Sequence, residues 1–237
     1  MMQLRRSAER GRFGLDWLQS AHTFSFGSYF DPNHMGFRSL RVINEDTVQP
    51  GGGFPPHGHR DMEIISYVTA GALEHEDSMR HGSVVHAGDV QYMRAGKGVR
   101  HSEYNASDDE VLKFLQIWIV PNRRGAEPAY DQRTLQDGER NNRFCLIASG
   151  DPQDGGIVIQ QDARLLTSKL EAGSTLSYDL GPQRGAWVQL VQGNIELNGA
   201  KLTSGDGVAL EAVEQMSFKA NEASEVLLFD LGWWPER

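Results

Sequence analysis

The chain has 237 residues, of which 39% are hydrophobic and 23% charged, the profile of a globular protein with room for one large all-β unit or two smaller domains. A net charge of -9 and an isoelectric point near 5.4, without any cluster of Lys and Arg, exclude a general affinity for nucleic acid or anionic membranes. Cys145 is the single cysteine, which excludes an internal disulfide and a thiolate-built zinc site.

The opening stretch, MMQLRRSAERGRFGLDWL, lacks the apolar core and small-residue cleavage site of a signal peptide. No later run approaches the ~20 apolar residues of a membrane span, so a soluble, cytoplasmic protein is expected. RSAERGR reads as a solvated loop and DWLQS as a short helix. HTFSFGSYFDPNHMGF, residues 22–37, is rich in aromatics. Phe24, Phe26, Phe30 and, further on, Phe54 are expected in the core, some of them lining an apolar mouth. RSLRVINEDTV, EIISYVTAG, SVVHAGDVQYM and KFLQIWIV carry β-branched and aromatic residues between turn residues and read as strands. The polar stretch PNRRGAEPAYDQRTLQDGERNN reads as a domain boundary, and ARLLTSKL beyond it as a second short helix. Short strands with frequent glycine turns point to a sandwich or jelly-roll barrel.

The two halves echo each other. YVTAGALEHED followed by VVHAGDVQYM is matched by LVQGNIELNG followed by KLTSGDGVAL. Each has a strand, a glycine, a second strand and then a Gly-Asp pair, Gly88-Asp89 and Gly205-Asp206. Such self-similarity is the mark of a duplicated unit. The halves are not chemically equal, because all eight histidines lie at or before His101.

On a strand, alternate side chains share a face, so His57 and His59 point together, and so do His101 and Glu103. Two such pairs, each approached by glycines that let backbone come close, place three imidazoles and a carboxylate around one point. That donor set suits Fe(II), Mn, Co, Ni, Cu or Zn and suits Mg or Ca poorly. Glu63, four residues past His59, has the same strand parity, and spacing alone leaves Glu63 and Glu103 both open as the carboxylate. His22 and His34 are expected to pack or hydrogen-bond locally. His75, His81 and His86 fall near turns and strand edges and are assigned no role. Cys145 reads as a small buried hydrophobe.

The segment from Gly51 through His57, His59 and Glu63 to Gly71 resembles the first cupin motif, with one extra residue before the last glycine. GDVQYMRAGKGVRHSEYN, residues 88–105, resembles the second, without its usual proline. HSE in place of a plain histidine, together with residues 22–37 and FPPHGHRDMEIISYVTAG, is similar to the pirin family of cupins. The resemblance is dense in the first half and architectural in the second. It implies an all-β bicupin, two jelly-roll β-barrels packed together with a few short helices. Residues 1–130 would form the barrel with the metal, and residues 131–237 a barrel without metal ligands.

The same resemblance implies one divalent transition metal ion, Fe(II) before Mn, Co, Ni, Cu or Zn, held by His57, His59, His101 and Glu103. Glu63 would then accept a hydrogen bond from an imidazole N–H. Bacterial members include quercetin 2,3-dioxygenases, so the implied partners are a small phenolic substrate and dioxygen, with Glu103 also serving as the catalytic base. Animal pirin is an iron-dependent transcriptional cofactor. The competing expectation is therefore a non-enzymatic, redox-responsive regulator that acts through a protein partner.

Overall fold

Runs rich in β-branched residues such as LRVINEDTV and EIISYVTA fold as strands, Leu40–Val48 and Glu63–Ala70, the second buried along its first six residues. The computed structural model describes residues 1–234. Among the described residues, strands pair antiparallel except Cys145–Ser149 with Ile157–Val158, and no helix is long and apolar enough to cross a membrane.

Strands fall into two compact units. The first unit comprises residues 11–135 and 159–161. Its larger sheet runs in the order Ala129–Thr134, Asp89–Arg94, Glu63–Ala70, Leu112–Ile119, Leu40–Val48, Leu18–His22, Gly11–Leu15. Its smaller sheet runs Gly53–His59, Val99–Asn105, Ala72–Asp77, Gly82–His86. The second unit comprises residues 1–10, 136–158 and the chain from Asp162 onward. Its larger sheet runs Met2–Arg5, Gly207–Glu211, Gly185–Gln192, Ser224–Leu231, Ala163–Leu170, Cys145–Ser149, Ile157–Val158. Its smaller sheet runs Thr175–Asp179, Gln215–Ala220, Asn194–Leu197, Ala200–Thr203. Counted from that end, both units thread their consecutive strands through the same positions, so the echo in the sequence is a duplication of the all-β architecture. Edge strands are the exception: Met2–Arg5 fills the place that Ala129–Thr134 fills in the first unit.

Three local expectations are corrected. ARLLTSKL is a strand, Ala163–Leu170, paired on both sides and buried along most of its length. A short apolar run flanked by two partners has no periodicity that separates it from a helix. DWLQS is a turn leading into Leu18–His22. RSAERGR is not a solvated loop: Arg10 is buried, Ser7–Glu9 is a 3-10 turn, and Arg6 Nη1 donates to Asp206 Oδ2 at 2.8 Å. Its mixed charges find partners within the second unit. Phe24 is buried as expected, whereas Phe30 is exposed.

The interiors of the two units differ, and among the described residues the groupings that could hold a metal lie in the first. In the first, one apolar layer holds Leu18, Val48, Val68, Leu112 and Phe114, and another holds Ile64, Met93 and Val99. Between them a polar row crosses the larger sheet in register: His22 opposite Asn44, Asn44 opposite Gln116, Gln116 opposite Ser66, and Ser66 opposite Gln91. In the second unit a single core of Leu, Ile, Val, Met and Phe fills the space. There Leu176 faces Phe218 and Tyr178 faces Met216, on the pair of strands that carries the histidines in the first unit.

Gly71 turns the chain between Glu63–Ala70 and Ala72–Asp77 with a φ of +72°, and a Cβ there would lie 2.7 Å from the Val111 carbonyl oxygen. Left-handed backbone costs an L-residue about 1–3 kcal/mol, before any clash. Gly71→Ala is therefore expected to lower stability by at least that much, read from the urea midpoint at unchanged slope.

Candidate metal centre

The soft lead-in to His57 has a structural purpose. Proline cannot donate to a sheet ladder, so Pro55-Pro56 breaks the register between Gly53–His59 and Val99–Asn105. Val99 opposes His59 and His101 opposes His57, but Glu103 opposes Phe54. Two prolines thus sit across from the single Ser102, a bulge that re-aims the side chains beside it. His57, His59 and His101 emerge on one face with ring centroids 4.5–4.9 Å apart.

Hydrogen bonds orient two of these rings. His57 Nδ1 lies 2.9 Å from the Pro55 carbonyl, an acceptor only, so Nδ1 carries the hydrogen and Nε2 the lone pair. His101 Nδ1 faces His75 Nδ1 at 3.5 Å, and His101 Nε2 stands 3.1 Å from His57 Nε2. Two imidazoles bound at right angles, at about 2.1 Å from a cation, place their nitrogens about 3.0 Å apart. Burial, then the neighbouring imidazoles, push His59 and His101 down to about 3. Both are neutral at pH 7, the form that binds metal. The three ligand nitrogens lie within 4.8 Å of one another, and the set fits a divalent transition metal.

Glu103 lies inward of the triad. Its ligand oxygen groups within 4.8 Å with His75 and His101, rather than with all three ring nitrogens of the triad. Gln116 Nε2 donates to its Oε2 at 2.9 Å and Ser66 Oγ to its Oε1 at 3.1 Å. Burial raises its proton affinity, and His75, Gln116 and Ser66 oppose that rise.

Glu63 is elsewhere. The chain leaves strand geometry at Arg60–Met62, with Asp61 at a φ of +50°, so parity is not carried across. Glu63 lies in the larger sheet, and its Oε2 accepts from Tyr92 Oη at 2.6 Å and from the Gln160 amide at 3.0 Å. The expectation that it serves an imidazole is therefore corrected.

His75, given no role from sequence, is fully buried. The alternation Leu73, His75, Asp77 on Ala72–Asp77 held the signal, since Leu73 is core and its strand mates share its face. His22 is buried beside Phe13, Phe26 and Tyr29, and His34 pairs with Asp31 at 2.8 Å; His81 lies 3.2 Å from Asp77. Cys145 is a buried free thiol. Over the triad, Trp118 meets His59 edge-on at 5.0 Å and Phe26 meets Trp118 edge-on at 5.3 Å.

The family model described as Pirin matches residues 2–119, and one described as the quercetinase C-terminal cupin domain matches residues 146–231. A quercetin 2,3-dioxygenase of Escherichia coli (strain K12) is 45% identical over 231 residues, covering 98% of this chain and 99% of that protein. A pirin-like protein of Caulobacter vibrioides is 41% identical over 90% of this chain and 92% of its own length. The crystal structure of bacterial pirin YhhW from Escherichia coli in complex with nickel(II) superposes with a TM-score of 0.93 at 44% identity, over 98% of this chain and 99% of that one.

Proposed function

The chain belongs to the pirin family, and from that premise we propose that it is a metal-dependent oxidoreductase opening the ring of flavonols such as quercetin with dioxygen. The observation that carries the reading is the convergence of His57, His59 and His101 beneath an aromatic wall. Relatives named quercetin 2,3-dioxygenase support the substrate class.

His57, His59 and His101 would hold the ion, with Glu103 as the fourth protein ligand, leaving one or two positions open on a five- or six-coordinate metal. When bound, the metal supplies Lewis-acid polarisation of a substrate hydroxyl and a route for dioxygen chemistry. Because His59 and His101 are already neutral, their binding of the ion does not compete with protons near pH 7. Glu103 takes the proton of the flavonol 3-hydroxyl; its buried carboxylate, with raised proton affinity, is suited to a general base. Gln116 and Ser66 hold that carboxylate in place while its proton state changes. Trp118 and Phe26 give an aromatic ring an apolar edge to pack on and keep water from the reacting face. The net reaction consumes one dioxygen and releases carbon monoxide and a depside.

The test is incubation of protein loaded separately with Fe, Mn, Co, Ni or Cu with quercetin, with and without oxygen. Oxygen-dependent loss of the flavonol with carbon monoxide release is expected for at least one metal. No such loss with any of them would sink this reading in favour of a metal-dependent regulator.

A further inference from the structure

The triad is backed by a second layer of buried groups that the proposed chemistry does not use. His75 and Asp77 have side chains without solvent exposure, and His75 Nε2, a buried nitrogen without a hydrogen-bond partner, lies 3.5 Å from Asp77 Oδ2. Asp77 is itself held: its Oδ1 accepts from the Met79 amide at 2.8 Å and the His81 amide at 3.1 Å. At the other edge of the ring, Gln91 Nε2 approaches His75 Nδ1 at 3.2 Å. An amide N–H aimed at Nδ1 makes that nitrogen the acceptor and puts the hydrogen on Nε2, towards Asp77. His101 Nδ1 lies 3.5 Å from the same nitrogen, whose single lone pair the two N–H groups share. Tyr130 stacks on the ring of His75 at 5.3 Å and limits its rotation.

We propose that His75 is a positioning residue for the metal centre. Its Nδ1 accepts from His101 Nδ1–H, its Nε2–H is directed at Asp77, and His101 is thereby fixed with the Nε2 lone pair turned towards His57 and His59. The arrangement is a carboxylate–histidine–histidine line ending on a ligand, one residue longer than the usual carboxylate–histidine pair behind a metal. It gives a role to a histidine and an aspartate buried on the strand that carries the core residue Leu73, where an unpaired polar group is costly. The inference rests on the metal-binding reading of the triad.

Two measurements on zinc-loaded protein labelled with 15N-histidine test it. Chelator competition gives the metal Kd, and long-range 1H–15N spectra give the His101 tautomer. His75→Leu is expected to raise the Kd about 10–100-fold, the usual effect of removing such a supporting group, and to unfix the Nδ1–H form of His101. His75→Asn, whose amide oxygen sits near the position of Nδ1, is expected to recover most of that loss. Asp77→Asn should shift the Kd in the same direction, by less. Unchanged Kd and tautomer in His75→Leu would overturn the proposal. So would loss of one nitrogen scatterer from the metal's X-ray absorption spectrum in that variant, which would make His75 a ligand. If the wild type retains no metal, the metal reading falls by itself. The tautomer comparison in the metal-free wild type and the variants still decides the role of His75, and it remains readable in His75→Asn and Asp77→Asn if His75→Leu does not fold.

Discussion

In His101→Ala, metal retention is expected to be lost while the barrel stays folded, whereas Glu63→Ala keeps its metal. The two residues are both buried, yet they lie in different sheets of the first unit. His101 offers Nε2 within 3.1 Å of His57 Nε2, at the centre of the set. Removing it leaves two imidazoles, and the loss should exceed the 10–100-fold that follows when a mere supporting group is removed. Glu103→Ala should weaken retention, because the carboxylate contributes beside the imidazoles. Glu63 touches Tyr92 and Gln160, so its replacement acts on stability through two lost hydrogen bonds. Metal analysis after desalting, with circular dichroism to establish folding, reads all three variants. Loss of metal in Glu63→Ala with none in Glu103→Ala would reverse the assignment.

The stability that Asp46→Asn gains over wild type should grow as pH rises from about 4 to about 7. Asp46 lies on Leu40–Val48 and accepts from Ser20 Oγ. Burial, opposed by Ser20 and reinforced by the charge on Glu103, pushes its carboxyl up from 3.8 to about 7. The sign follows from linkage: the unfolded chain releases this proton near pH 4, while the folded chain holds it until about pH 7. The folded state is therefore favoured below pH 4 and loses that advantage progressively up to about pH 7. A shift of this size corresponds to on the order of 4 kcal/mol at most. Asparagine keeps an acceptor for Ser20 without a charge, so the variant should match wild type near pH 4 and exceed it at pH 8. Denaturant titration at both pH values checks this. An Asp46→Asn variant whose gain over wild type is no larger at pH 8 than at pH 4 would contradict it.

Much of the first unit was legible in the sequence because its signals are local. Glycine punctuation, β-branched runs and the paired HxH and HxE spacings all act within a strand, and strand parity alone puts His57 beside His59. What was not legible depends on partners distant in the chain. ARLLTSKL is a strand only because Ser224–Leu231 and Cys145–Ser149 flank it. The parity of Glu63 fails at Asp61, where the backbone turns left-handed, an event that no spacing rule registers. His75 looked like a turn residue because its neighbours Glu74 and Glu76 are polar, and its burial is decided by the strand on either side of it. The edge position of Met2–Arg5, paired with Gly207–Glu211, lies some two hundred residues from its partner and has no local signature.

The most direct test of the metal centre is anomalous diffraction at the absorption edge of the loaded metal, on crystals of the metal-loaded protein. The expected result is one strong peak within bonding distance of His57 Nε2, His101 Nε2 and the His59 ring, with Glu103 as the nearest carboxylate. A peak beside Glu63 and Tyr92, or anywhere in the second unit with none at the three imidazoles, would contradict it.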